Sequence, residues 1–240
     1  GGTGGSSSST AQNNATLATV DAMIENFSSF LAEKYEISLC DISFDHETFH
    51  IFGSNLAPTL LDCAEMARAA GRSDLLTFQS KATLEARSFP NGAHVAEVEI
   101  DKNTGLVTVE RYAVVDDFGN LFNPKLVEGQ VHGGVVQGVG QAVNEHVVYD
   151  KNGQLLTASF MDYGVPRAKD VPFILFDTEP IPSTANVMGV KGCGEAGTVG
   201  ALAAVANAVQ DAVWDSGVRQ ADMPFTPLRV WQMLHSSQKS

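Results

Sequence analysis

The run Gly192-Cys193-Gly194-Glu195-Ala196-Gly197 sets one carboxylate among glycines, directly ahead of an Ala-rich helical pattern. Glycines let backbone approach a ligand closely. A helix start adds free N–H groups and the positive end of a dipole. Glu195 is therefore a candidate general base, and the plain alternative is a tight turn carrying an exposed Glu. The same six residues also spell G-x-G-x-x-G. A dinucleotide site of that kind needs a buried strand before the glycines and another after the helix. The segment after the helix, Ser216 to Asp222, is too polar to be that strand. Cys193 sits where a helix start would lower a thiol pKa, although a small packing residue is the simpler role.

Two further stretches could hold a ligand. Gly4-Gly5-Ser6-Ser7-Ser8-Ser9-Thr10 precedes a helical pattern, and its N–H groups and hydroxyls could cradle a phosphate or pterin. A flexible Gly/Ser linker would look the same. The stretch from Glu128 to Gln141 holds five glycines in a helical pattern, at roughly 1 kcal/mol each relative to Ala. Close approach of another backbone or of a ligand would offset that. Gly133 would then face the approach, with Gln130 and Gln137 offering amides. Tight helix packing with polar residues facing water is the alternative. His94 and His132 lack the ligand spacing of a zinc site and read as packing or surface residues. Asp116 and Asp117 read as the end of a strand.

The elements that must position these residues are legible in outline. Residues 1–14 read as a Gly/Ser/Asn-rich loop. Leu17, Val20, Met23, Ile24, Phe27, Phe30 and Leu31 recur at helical spacing. A hairpin follows around Asp45-His46-Glu47, then a helix from about Thr59 to Ala70, stopped by Gly71. Two strands flank Asp101–Gly105 within 93–117. A helix starts at Asn123-Pro124, where Asn caps and Pro tolerates the first position. Asp150–Gly153 predicts another hairpin, and 173–176 a buried strand. A helix over about Thr198–Trp214 and a short one from Thr226-Pro227 complete the chain. Strands and helices do not alternate regularly, so the class is α+β, divided into α+β parts over 15–120 and 121–240.

Composition excludes some functions. The formal net charge of −13 over 240 residues would repel nucleic acid. No apolar run reaches the roughly 18 residues of a membrane span. Cys40, Cys63 and Cys193 are too scattered for a disulfide framework or a C-x-x-C site, which points to a reducing cytoplasm. The chain opens Gly1-Gly2-Thr3 without Met, so a piece of a longer protein is expected.

Taken together and in order, these stretches resemble the molybdenum-cofactor-binding subunit of the molybdenum hydroxylases, the xanthine dehydrogenase, aldehyde oxidase and CO dehydrogenase family. The resemblance runs through Thr3-Gly4-Gly5-Ser6, Gly92–Val98, Val115–Gly119, Glu128–Gly134, Gln137–Gln141 and Phe160-Met161-Asp162-Tyr163 to Gly189–Thr198. The family usually has Arg where Ser7 stands and often Pro where Leu202 stands. The resemblance implies the C-terminal portion of the molybdopterin-binding domain. It also implies oxidative hydroxylation of a carbon centre by water, with Glu195 as the base. Gly4, Gly5, Ser6, Ser7, Ser8, Gln130, Gly133, Gln137 and Gly194 would contact the cofactor, with no protein ligand to the metal. The cofactor would be molybdenum-molybdopterin, in its plain or cytosine dinucleotide form. The implied partners are the N-terminal half of the subunit, iron–sulfur and FAD subunits or domains, and a small-molecule substrate. Alone, the piece is expected to be inactive. Two other readings stand beside this one: a noncatalytic assembly domain and a nicotinamide-dependent dehydrogenase.

Overall fold

Helix α1 (Ser8–Tyr35) buries Phe27, Phe30 and Leu31, spaced three and four apart on one face. The structure is a computed structural model and describes residues 4–84 and 86–236. Strands β1 (Ile42–Asp45) and β2 (Thr48–Ile51) form an antiparallel hairpin. Its turn residues His46 and Glu47 both have positive φ, the conformation whose twist matches a two-residue hairpin. Helix α2 (Leu60–Ala69) opens with a reciprocal capping box between Thr59 and Asp62. Beyond its end Gly71 has φ +73°, as a left-handed stop requires. Phe27, Phe30, Leu31, Phe49, Cys63, Ala67 and Leu75 share one core.

A second core belongs to a three-stranded sheet and three helices. Strand β3 (Asn91–Ile100) pairs antiparallel with β4 (Val107–Asp117), and β5 (Ile174–Thr178) pairs parallel with β4 from the other side. In β4 the side chains of Tyr112, Val114 and Asp116 are all buried at alternate positions, one face of the sheet. Helix α3 (Pro124–Val143) is capped by Asn123, whose side chain accepts from the Leu126 N–H, with Pro124 in the first turn. Helix α4 (Ala196–Trp214) buries Gly197, Ala201, Val205, Val209 and Val213, one residue per turn along a single stripe. Helix α5 (Pro227–Ser236) buries Val230 and Leu234.

The glycines of α3 divide by neighbour. A Cβ on Gly134 would stand 3.0 Å from Gly197 Cα, and one on Gly138 would stand 2.6 Å from Ala201 Cβ. These two positions let α3 and α4 approach backbone to backbone. At Gly129 and Gly133 the same position is open space. Val131, Val135 and Val139 are fully buried on the helix, at roughly 1.5–3 kcal/mol each, which is enough to offset glycines at about 1 kcal/mol each.

The chain divides into two compact units, Gly1–Ser8 with Arg87–Ser240 and Ser9–Ala86. In the larger unit β3, β4 and β5 share one sheet, and α4 packs on β3. The expected loop over 1–14 is shorter, since helix begins at Ser8; its residues 1–3, including Thr3, lie outside the described residues. The Asp150 hairpin shrinks to a turn closed by the single bridge Tyr149–Leu155. The strand expected over 173–176 is β5, yet it is not buried throughout. As the outer strand of the described sheet it leaves Leu175 62% exposed, with Phe173 just ahead of it 79% exposed, and only Ile174 in the core.

Candidate functional site around Glu195

Glu195 is the N-cap residue of α4. Its neighbour across the site is Ser6, whose hydroxyl donates to Glu195 Oε2 at 2.9 Å. Ser6 is held by a tight turn. Ser7 N–H and Ser7 Oγ both donate to the Gly4 carbonyl, and the central residues Gly5 and Ser6 have φ +59° and +54°. A non-glycine residue in that region is strained by about 1–3 kcal/mol, so the surroundings must hold Ser6 there. Gly192 packs closely on it: a Cβ there would stand 1.9 Å from the Ser6 carbonyl oxygen.

The segment before Glu195 is pinned to the end of β4. Lys191 N–H donates to the Phe118 carbonyl at 2.8 Å, and Asn120 N–H to the Gly189 carbonyl at 3.0 Å. Lys191 Nζ is ion-paired with Asp117 Oδ2. Burial pushes the Asp117 carboxyl up, but Lys191 and the N–H groups of Ile181 and Gly119 outweigh it and hold the pKa below the usual range. The segment is therefore an anchored loop and not the strand a dinucleotide fold needs, and no strand follows α4 among the described residues.

Beside Glu195 a pocket of about 290 Å³ opens between Gly5, Ser6, Asn91, His94, Asp116 and Val199. At its floor His94 Nδ1 lies 2.7 Å from the Tyr112 hydroxyl, and His94 Nε2 lies 3.3 Å from Asp116 Oδ1. Burial, with the Asp116 charge, raises the Tyr112 pKa and keeps the phenol protonated. Tyr112 then donates to Nδ1, and Nε2–H donates to Asp116, a tautomer assigned from the network. Asp116 Oδ2 is buried without a partner. The sequence reads His94 as a packing or surface residue and Asp116 as the end of a strand, and so misses both. The signal that could have found them is a His on one strand and a Tyr and an Asp on the next, with Tyr112 and Asp116 at alternate positions on one face of β4.

Of the residues singled out by sequence, the structure brings Gly4, Gly5, Ser6 and Ser7 into one turn, with Ser6 on Glu195 and 3.5 Å from the Cβ position of Gly194. Ser8 opens α1. Gln137 accepts from Thr198 Oγ1 at 3.0 Å, which ties it to the first turn of α4. Gln130 and Gly133 are exposed on α3, and among the described residues no hydrogen bond joins Gln130 to the Ser6–Glu195 pair. His132 Nε2 is buried without a partner, its ring against Phe173 and Phe176. The expectation for Cys193 is reversed: burial raises its thiol pKa.

The family model of the molybdopterin cofactor-binding domain matches residues 1–172. The chain belongs to this family. It is 44% identical over 142 residues to the nicotine 6-hydroxylase large subunit of Paenarthrobacter nicotinovorans, covering 59% of this chain and 17% of that protein. The 6-hydroxypseudooxynicotine dehydrogenase complex subunit gamma of the same organism is 31% identical over 225 residues, 91% of this chain and 28% of that one. Among solved structures, a Cu,Mo-CO dehydrogenase in its carbon monoxide reduced state superposes with a TM-score of 0.85 at 28% identity, over 99% of this chain and 30% of that one. The fold is thus that of part of a molybdenum-cofactor-binding domain, and the chain spans less than a third of the curated relatives just named. Among the described residues no helix is long and apolar enough to cross a membrane.

Proposed function

We propose that this chain is part of a molybdenum hydroxylase that oxidatively hydroxylates a carbon centre with water as the oxygen source. The substrate class is an aldehyde, an N-heterocycle or a similar small molecule, and Glu195 is the general base. The observation that carries this reading is the Ser6–Glu195 hydrogen bond, which sets the carboxylate at the start of α4 against a Gly-Ser turn in a chain of the molybdopterin-binding family.

The residues present fit a flat, polar, anionic group. At Gly4, Gly5 and Gly133 no atom lies within 4 Å of a Cβ position. Backbone N–H groups and hydroxyls of residues 4–8, the amides of Gln130 and Gln137, and the backbone at Gly133 and Gly194 would hold the cofactor, plain or as the cytosine dinucleotide. When bound, the molybdenum–pterin group supplies the two-electron chemistry. The chain supplies the base. Ser6 holds Glu195 Oε2, and Oε1 makes no hydrogen bond among the described residues, so Oε1 is the atom that accepts the proton of the attacking water. Iron–sulfur and FAD partners would carry the electrons away, in the cytoplasm. The 240 residues alone hold only part of these contacts and are inactive without the N-terminal half of the subunit.

The test is Glu195→Gln in the complete enzyme. The amide keeps the shape and loses the base, so kcat should fall by about 10²–10⁴-fold while molybdenum content stays near normal. A metal-loaded variant turning over at the wild-type rate would remove Glu195 from the reaction.

A further inference from the structure

We infer that His94, clamped by Tyr112 and Asp116, is the positioning residue that seats Glu195. The inference rests on Glu195 being the base. Its geometry begins at Gly200, in the second turn of the helix that Glu195 caps. A Cβ on Gly200 would stand 2.5 Å from Cγ, Cδ2 and Cε1 of His94 alike. Equal distances to three ring atoms mean that the face of the imidazole, not its edge, lies against α4. The ring thus sets the height of the first turns of α4 above β3 and β4.

The ring cannot turn away. Tyr112 fixes one nitrogen and Asp116 the other, and only 7% of the His94 side chain is exposed. Asp116 in turn needs Gly92, its cross-strand partner, where a Cβ would stand 1.9 Å from Oδ1. Three elements therefore supply matched residues: Gly92 and His94 on β3, Tyr112 and Asp116 on β4, and Gly200 on α4. An apolar pair could fill this volume without burying a carboxylate oxygen that has no partner. What the polar set provides that an apolar pair would not is a fixed ring orientation. His94, Asp116 and Glu195 open on the same pocket, so the seat and the base share one cavity. Ser6 holds Glu195 by a direct bond, and His94 holds it through the helix.

The experiment compares His94→Ala, Gly200→Ala and the double variant in the full-length enzyme. Nicotine and benzaldehyde serve as probe substrates, and molybdenum content, KM, kcat and amide exchange over 191–200 are measured. Each single change should lower kcat, on the order of 10²-fold for a base displaced by an ångström, with KM and molybdenum content little changed and exchange over 191–200 faster. The double variant should be no worse than Gly200→Ala alone, because the ring that the new methyl strikes is gone. Asp116→Asn, which keeps the side-chain shape, reads the same effect if His94→Ala does not assemble. Wild-type kcat with unchanged exchange in His94→Ala would overturn the inference, as would a strictly additive double variant. Glu195→Gln is run in parallel: if it turns over normally the base assignment falls, and the exchange data still judge whether His94 seats α4. If neither probe is turned over, exchange alone decides: unchanged rates over 191–200 overturn the seat.

Discussion

Lys191 and Asp117 are ion-paired with only 11% and 7% of their side chains exposed, and the pair fastens the end of β4 to the segment that leads into Glu195. Asp117 also accepts from the N–H groups of Gly119 and Ile181, so its charge is satisfied on several sides. Removing Lys191 leaves the buried Asp117 without its countercharge, and neutralising Asp117 leaves the Lys191 ammonium buried without its own. Lys191→Met or Asp117→Asn should therefore destabilise by about 3–5 kcal/mol, read by urea denaturation. The pH dependence has a definite sign. The folded Asp117 pKa lies below its unfolded value of about 3.9. Its stabilisation is thus full above that unfolded value and is lost as pH falls through the lower folded one. Unfolding curves between about pH 2 and pH 6 should show a loss of stability at the acid end that is smaller in Asp117→Asn. An equal acid loss in both proteins would mean that other carboxylates control it.

The glycine row of α3 predicts two opposite phenotypes. Gly138 is pressed on Ala201 and on the Thr198 carbonyl, with the latter 2.9 Å from its Cβ position. Gly138→Leu should destabilise by about 1–3 kcal/mol or more through overpacking. Gly133 has open space instead. Gly133→Ala should leave the fold intact or stabilise it by up to about 1 kcal/mol, as Ala replaces Gly in a helix. If Gly133 faces the cofactor, Gly133→Leu will lower molybdenum content in the full-length enzyme without lowering its melting temperature. Unchanged loading would leave Gly133 as a solvent-facing position.

The helices and the first hairpin were legible because their signals are local. Asn123-Pro124 caps and starts α3, Thr59 and Asp62 box α2, and Gly71 ends it. The α+β class followed from the same reading. Pairing of β4 with β5 joins residues about sixty positions apart, and no local signal announces it. The candidate site has the same character. Ser6 and Glu195 are 189 positions apart; sequence marks each as chemically capable, but not that they touch. His94 is 18 and 22 positions from Tyr112 and Asp116. Strand alternation gives their common face, while the register that makes them neighbours is set by the whole sheet. Gly200 is harder still, since a glycine inside an Ala-rich helix reads as a tolerated residue until the ring packed on it is seen.

The three thiols should separate by environment. Cys40 is exposed, with its Sγ 3.0 Å from the Ser38 hydroxyl. Cys63 is fully buried in the core with Phe27 and Phe49, and burial, aided by the Asp62 charge, pushes its pKa up to about 11. Cys193 is half-buried, and burial raises its pKa despite its place before α4. The thiolate is the reactive form; burial disfavours it at Cys63 and Cys193, and Cys40 is the exposed thiol. Titration of the native protein with a thiol-reactive aryl disulfide at pH 7.5 should give one fast equivalent at Cys40, absent in Cys40→Ser, and two that react only on unfolding. A fast reaction at Cys193 would show that the start of α4 activates this thiol, restoring the role its position suggests and contradicting the burial that the structure gives it.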